Sequence, residues 1–177
     1  MYLGKKIICI IPARSGSSGL KNKNIKIING KPLLYWPIKA AKKSKIIDEI
    51  MVTTDSKKIQ KKAINFGANA PFLRPKKISQ NSSKISDAIV HVINFYKKRV
   101  NKEFDYLILL EPTSPLTETK DIDKTLKILI KNNNLDSLVT VAQNITSHPS
   151  FNFKIKNKKL KRISNDSPDK NRQNISK

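Results

Sequence analysis

A chain of 177 residues with 38% hydrophobic content can bury one core and does not demand a second domain. Its formal net charge of +23 points first at polyanions, but the lysines are spread through every segment. Neither zinc-finger spacing nor an RNP-type aromatic motif accompanies them, which argues against a specific nucleic-acid partner.

No apolar run reaches the length of a membrane span or a signal-peptide core, so a cytoplasmic protein with no membrane partner is expected. The single cysteine, Cys9, lies inside an apolar run and reads as a small buried hydrophobe with no internal disulfide partner.

Residues 6–12 form an Ile-rich run suited to a strand buried on both faces of a parallel sheet, and a Gly/Ser/Lys/Asn loop follows. After the turn signal Asn29-Gly30-Lys31-Pro32, Leu34, Ile38 and Ala41 recur at helical spacing, and Pro37 delays or kinks that helix. Residues 49–54 read as a second strand, and residues 56–66 as a helix closed by Gly67.

A short extended piece at 70–73 precedes the amphipathic helix of residues 85–96, with Ile85, Ala88, Ile89, Val92, Ile93 and Tyr96 on one face. Residues 104–110 form another strand, ended by Glu111-Pro112-Thr113-Ser114-Pro115. A helix follows, with Asp121 and Asp123 suited to its first turn and Ile122, Leu126, Leu129 and Ile130 to its buried face. Residues 137–142 read as the last buried strand, and 152–164 as a lysine-rich hairpin turning at Asn157-Lys158. Strands alternating with helices predict an α/β fold: one domain over 1–177 with a mostly parallel twisted sheet flanked by helices, and 150–177 as a small β-hairpin extension.

In such a sheet, ligands bind outside the carboxyl ends of the strands, where three polar loops fall: 14–24, the one after Thr54-Asp55, and 111–116. In the first, Gly16 and Gly19 allow close backbone approach, serine hydroxyls and backbone N–H groups can donate to phosphate, and Arg14, Lys21 and Lys23 bring positive charge. It is neither a Walker A loop nor a dinucleotide fingerprint, and from spacing alone a phosphate cradle and an ordinary solvated loop both remain open. Asp55 could cap the following helix, and Arg74 could be a surface arginine beside a proline. His91 and His148 have no Cys or second His nearby, so no metal ligand is assigned.

The string from Pro12 to Asn24, PARSGSSGLKNKN, resembles the PAR-G-x-S-K-G-x-x-x-K-N signature of N-acylneuraminate cytidylyltransferases, and Asn29-Gly30-Lys31-Pro32-Leu33 follows at the family spacing. Val52 to Ser56, Phe72 to Pro75, and Leu109 to Leu116 resemble the STDS, FLRP and LLQPTSPLR segments. His148-Pro149 and Arg172-Gln173 resemble the later HHP and RRQ elements.

The resemblance implies a Rossmann-like nucleotidyltransferase fold and transfer of CMP from CTP to a nine-carbon sugar acid, with magnesium as cofactor. A homodimer is also implied, with the hairpin extension at its interface. It implies that Ala13, Arg14, Gly16, Ser17, Lys21, Lys23, Asn24 and Arg74 bind nucleotide, Arg14 and Lys23 also serving the chemistry. Glu111, Pro112, Thr113, Ser114, Arg172 and Gln173 would face the sugar.

Ser18 stands where the family has a lysine, Glu111 where it has Gln, and Thr117 where it has Arg. The family's later NGA strand, magnesium-binding Asp-x-Asp pair and closing helix have no counterpart in the 177 residues. This leaves a CTP-binding but inactive chain as the alternative. A Kdo-type relative is disfavoured by Lys23-Asn24 and the PTSPL segment.

Overall fold

The computed structural model describes residues 1–16, 19–141, 153–157 and 159–162. The chain divides into two compact units, Met1–Leu138 and Val139–Lys177.

The first unit is built around β1 (Ile7–Pro12), whose residues Ile7 to Ile11 are fully buried. The short strands β2 (Ile27–Ile28) and β3 (Lys31–Pro32) pair antiparallel across the Asn29-Gly30 turn, where both residues take positive φ. Helix α1 (Tyr35–Lys43) begins after that turn. The helix thus begins later than Pro32, as expected, and Pro37 is its third residue, within the first turn where backbone N–H groups have no intrahelical partner, so no kink is needed.

β4 (Glu49–Thr53) then leads to α2 (Lys57–Asn65), and α3 (Ile85–Phe95) leads to β5 (Tyr106–Leu109) and α4 (Thr119–Lys131). The sheet order is β4-β1-β5, and both pairings of β1 are parallel.

Alternation along β1 sorts its side chains onto two faces. Ile7, Cys9 and Ile11 pack with Leu34 and Ile38 of the α1 region, Ile59 and Ala63 of α2, and Ile122, Leu126 and Ile130 of α4. Ile8 and Ile10 pack with Met51, Val92 and Tyr96, the last two from α3 and its end. Burial pushes the Cys9 thiol far up, which fits a packing residue.

Two expected elements differ. Residues 137–141 carry no strand, and Val139 and Val141 are 58% and 53% exposed. Alternating apolar residues supply a face, but a strand also needs a partner for its backbone groups, which the local pattern does not encode. Ala142 lies outside the described residues. On α3, Ala88, Val92 and Tyr96 are buried, whereas Ile85 in the first turn is exposed.

In α4, Asp121 sits in the first turn, but Asp123, two residues on, lies just past it and accepts a hydrogen bond from Ser44 Oγ. Leu129 is half-buried. In the second unit, β6 (Phe153–Lys156) and β7 (Lys159–Arg162) pair antiparallel, with Asn157 at φ 52 in the turn. This is the expected hairpin, exposed at every described residue.

Candidate nucleotide site

The first polar loop leaves the carboxyl end of β1 under backbone control. Ala13, fully buried, donates its N–H to the Thr53 carbonyl at 3.0 Å and extends the ladder one residue past the strand. The next residue, Arg14, is half-buried, and its guanidinium donates to the Gln80 carbonyl.

Ser15 donates twice to Asp55, from its backbone N–H and from its hydroxyl, each at 2.7 Å. Gly16 is exposed, and an added Cβ there or at Gly19 would meet nothing within 4 Å. The glycines therefore relieve no contact within the described residues; they leave the backbone open on its outer side. Ser17 lies outside the described residues.

Lys21 is exposed and Lys23 half-buried, at the start of a short turn entered through Asn22 at φ 57. Asn24 is buried, and its side-chain amide donates to the Arg14 carbonyl.

Asp55 stands at the corner after β4. It does not cap α2; that role falls to Ser56, whose hydroxyl accepts from the Ile59 N–H at 3.4 Å. Burial opposes ionisation of Asp55, but the two donations from Ser15 and the nearby Arg74 charge outweigh it and hold its carboxyl below the ordinary value.

Arg74 is only 6% exposed, so it is no surface arginine. Its N–H donates to the Thr54 carbonyl at 2.7 Å and its Nε to Ser79 Oγ at 3.1 Å. Burial and, after the opposing effect of Asp55, the charge of Arg14 lower its pKa. Arg14 and Arg74 thus reach the same short segment, at Gln80 and Ser79.

Sequence reasoning missed this clasp, and it also missed His91. The His91 ring packs edge-on against Phe72 at 4.7 Å, and burial together with the Arg74 charge keeps it neutral to lower pH than usual. No sequence spacing signals contacts between residues 40 and 66 positions apart.

The third loop follows β5 at the same end of the sheet. Pro112 is buried, while Glu111, Thr113 and Ser114 are exposed. The Thr113 hydroxyl donates to the Glu111 carboxylate at 3.1 Å, and the Ser114 N–H donates to the Glu111 carbonyl at 3.0 Å. The structure joins the first two loops through Ser15 and Asp55. Among the described residues, no hydrogen bond joins the third loop to them. Arg172 and Gln173 lie outside the described residues.

The described residues do not fit a magnesium site of their own. They contain no group of three or more His, Cys, Asp or Glu side chains placed to hold a metal.

The family model described as Cytidylyltransferase matches residues 8–176. Over 123 residues the chain is 36% identical to the CMP-N,N'-diacetyllegionaminic acid synthase of Legionella pneumophila, covering 70% of this chain and 53% of that protein. The N-acylneuraminate cytidylyltransferase of Escherichia coli is 37% identical over 123 residues, covering 70% and 28%. The pseudaminic acid cytidylyltransferase of Campylobacter jejuni is 35% identical over 127 residues, covering 72% and 54%.

The chain thus spans about half the length, or less, of the curated relatives it matches. A solved structure of CMP:2-keto-3-deoxy-manno-octonic acid synthetase complexed with CTP aligns with TM-score 0.61 at 25% identity, covering 74% of this chain and 50% of that one. A 4-diphosphocytidyl-2C-methyl-D-erythritol synthase, 12% identical with TM-score 0.56 and covering 73% and 56%, shares the fold. With its parallel sheet, its loop at the end of β1 and a family match over residues 8–176, the chain belongs to the cytidylyltransferase family.

Proposed function

We propose that this chain binds CTP at the loop from Ala13 to Asn24 and transfers CMP to a nine-carbon 2-keto sugar acid of the sialic, legionaminic or pseudaminic type, releasing pyrophosphate. The observation that supports it most is the first loop itself. Ser15 and Asn24 fix it from within, Arg14 and Lys23 lie half-buried along it, and Gly16 leaves its backbone open to a triphosphate.

The sugar's anomeric hydroxyl oxygen attacks the α-phosphorus, the bond to the β-phosphate oxygen breaks, and pyrophosphate departs. Arg14 and Lys23 offset the charge on the phosphates, with Lys21 at the rim. Ala13, Gly16, Ser17 and Asn24 shape the cradle and Arg74 backs the nucleotide. Glu111, Pro112, Thr113 and Ser114, with Arg172 and Gln173, are the residues offered to the sugar. Catalysis is then positioning and charge neutralisation.

A magnesium requirement belongs to the same proposal, as do a cytoplasmic location and a homodimer using the exposed hairpin of β6 and β7. Among the described residues no helix is long and apolar enough to cross a membrane.

Calorimetric titration with CTP, ATP, GTP and UTP tests the reading. CTP should bind tightest, and Arg14→Ala should weaken it about tenfold, the loss of one charge-assisted contact. Equal binding of all four nucleotides overturns it.

A further inference from the structure

Asp55 is a half-buried carboxylate whose two oxygens are both engaged by one residue, Ser15, 40 positions away in sequence. Hydrogen bonds at 2.7 Å to an ionised acceptor are among the stronger ones a protein makes. The corner that carries Asp55 is itself braced: the Ser56 N–H donates to Thr54 Oγ1 at 3.2 Å, and the Thr54 carbonyl accepts from Arg74. Arg74, buried nearby, supplies the positive charge that favours the carboxylate form. Ser56 rather than Asp55 caps the helix, and each Asp55 oxygen accepts one hydrogen bond from Ser15.

We infer that Asp55 is a positioning residue of the nucleotide site, which turns the Ser15 N–H and hydroxyl inward and thereby fixes the direction in which the loop backbone at Gly16 faces the triphosphate. The inference rests on the CTP reading of that loop. It also assigns the donors: Ser15 spends its own on Asp55, and the first backbone N–H offered to the phosphates is that of Gly16. The buried Arg74 and the half-buried Arg14 are the charged groups around this pair, and neither donates to Asp55 among the described hydrogen bonds.

The experiment compares wild type, Asp55→Asn, Ser15→Ala and the double variant by CTP titration with and without magnesium, and by amide hydrogen exchange without nucleotide. Asp55→Asn should weaken CTP about tenfold, by the same factor in both conditions, because loop geometry rather than metal ligation is lost. The double variant should be no weaker than Asp55→Asn alone, since the two side chains act through one contact. The Ser15 and Gly16 amides should exchange faster in Asp55→Asn while the β1 amides stay protected.

Wild-type CTP affinity in Asp55→Asn, a loss seen only with magnesium, or additive single effects would each overturn the inference. If wild type shows no preference for CTP, the nucleotide reading fails separately. The Ser15 amide then still decides whether Asp55 holds the loop: faster exchange in Asp55→Asn supports it, and unchanged exchange overturns it. Ser15→Ala removes only one hydroxyl, so the comparison survives if Asp55→Asn folds poorly.

Discussion

The side-chain amide of Asn24 donates to the Arg14 carbonyl at 2.9 Å, while the Asn24 carbonyl accepts from the Leu34 N–H at 2.9 Å. One buried asparagine therefore ties the start of the nucleotide loop to the chain that enters α1. Truncation to alanine would leave the Arg14 carbonyl without its donor, so Asn24→Ala should cost about 1–3 kcal/mol of stability. Asn24→Asp should be worse, because a carboxylate oxygen would face a carbonyl oxygen. Urea denaturation checks both, and an unchanged midpoint in Asn24→Ala would show that the tie contributes nothing.

Acid should loosen the same loop from its other anchor. Burial alone would raise the Asp55 pKa, but the Ser15 donations and Arg74 lower it overall. A folded pKa below the unfolded one means stability is fully present above the ordinary aspartate value, about 3.9, and is lost as pH falls through the folded value. Asp48, which accepts from the N-terminus and from the Ile7 N–H, is depressed too and contributes in the same direction. The loss of stability below about pH 4 should therefore be shallower in Asp55→Asn than in wild type, yet not abolished. Melting temperatures measured between pH 3 and 6 would decide it.

The sequence carried the sheet and helices well where burial sets the pattern. β1 is buried on both faces and reads as a continuous Ile-rich apolar run, and α4 shows Ile122, Leu126 and Ile130 at helical spacing. Residues 137–141 also carry alternating apolar residues but form no strand, and Val139 and Val141 remain exposed, because pairing is a property of two segments and periodicity describes one.

The site divides in the same way. Ala13, Arg14, Lys21, Lys23 and Asn24 are legible as a contiguous string. The Asp55 bonds to Ser15, the reach of Arg14 to Gln80 and the burial of Arg74 beside Ser79 depend on how separate loops meet. Asp55 reads as a helix cap from its position, and only the structure gives that role to Ser56.

Thr53 ends β4 fully buried, and its hydroxyl has no hydrogen-bond partner among the described residues. A buried unpaired hydroxyl carries a desolvation penalty that a methyl group of similar shape does not. Thr53→Val should therefore raise stability by about 1 kcal/mol, seen as a higher melting temperature with CTP affinity unchanged. A destabilised variant would reveal a partner for that hydroxyl.

On the proposed function, Glu111 is among the residues offered to the acceptor sugar. It lies exposed after β5, and its carboxylate already accepts a hydrogen bond from the Thr113 hydroxyl at 3.1 Å. An ionised carboxylate offers acceptors only, so against a sugar acid it favours N–H and O–H donors and repels the sugar's own carboxylate. The Thr113 hydroxyl, its hydrogen directed at Glu111, likewise presents lone pairs. On the proposed function, an acceptor-only side chain where the resemblance expects Gln changes the match to the sugar, which is the ground for expecting an acid other than N-acetylneuraminate. In competition kinetics with CTP, N,N'-diacetyllegionaminic or pseudaminic acid should therefore show the higher kcat/KM. Glu111→Gln, which adds a donor and removes the charge, should move the ratio about tenfold toward N-acetylneuraminate. N-acetylneuraminate turned over best by the unaltered protein, or a ratio indifferent to Glu111→Gln, would show that this side chain does not select the sugar.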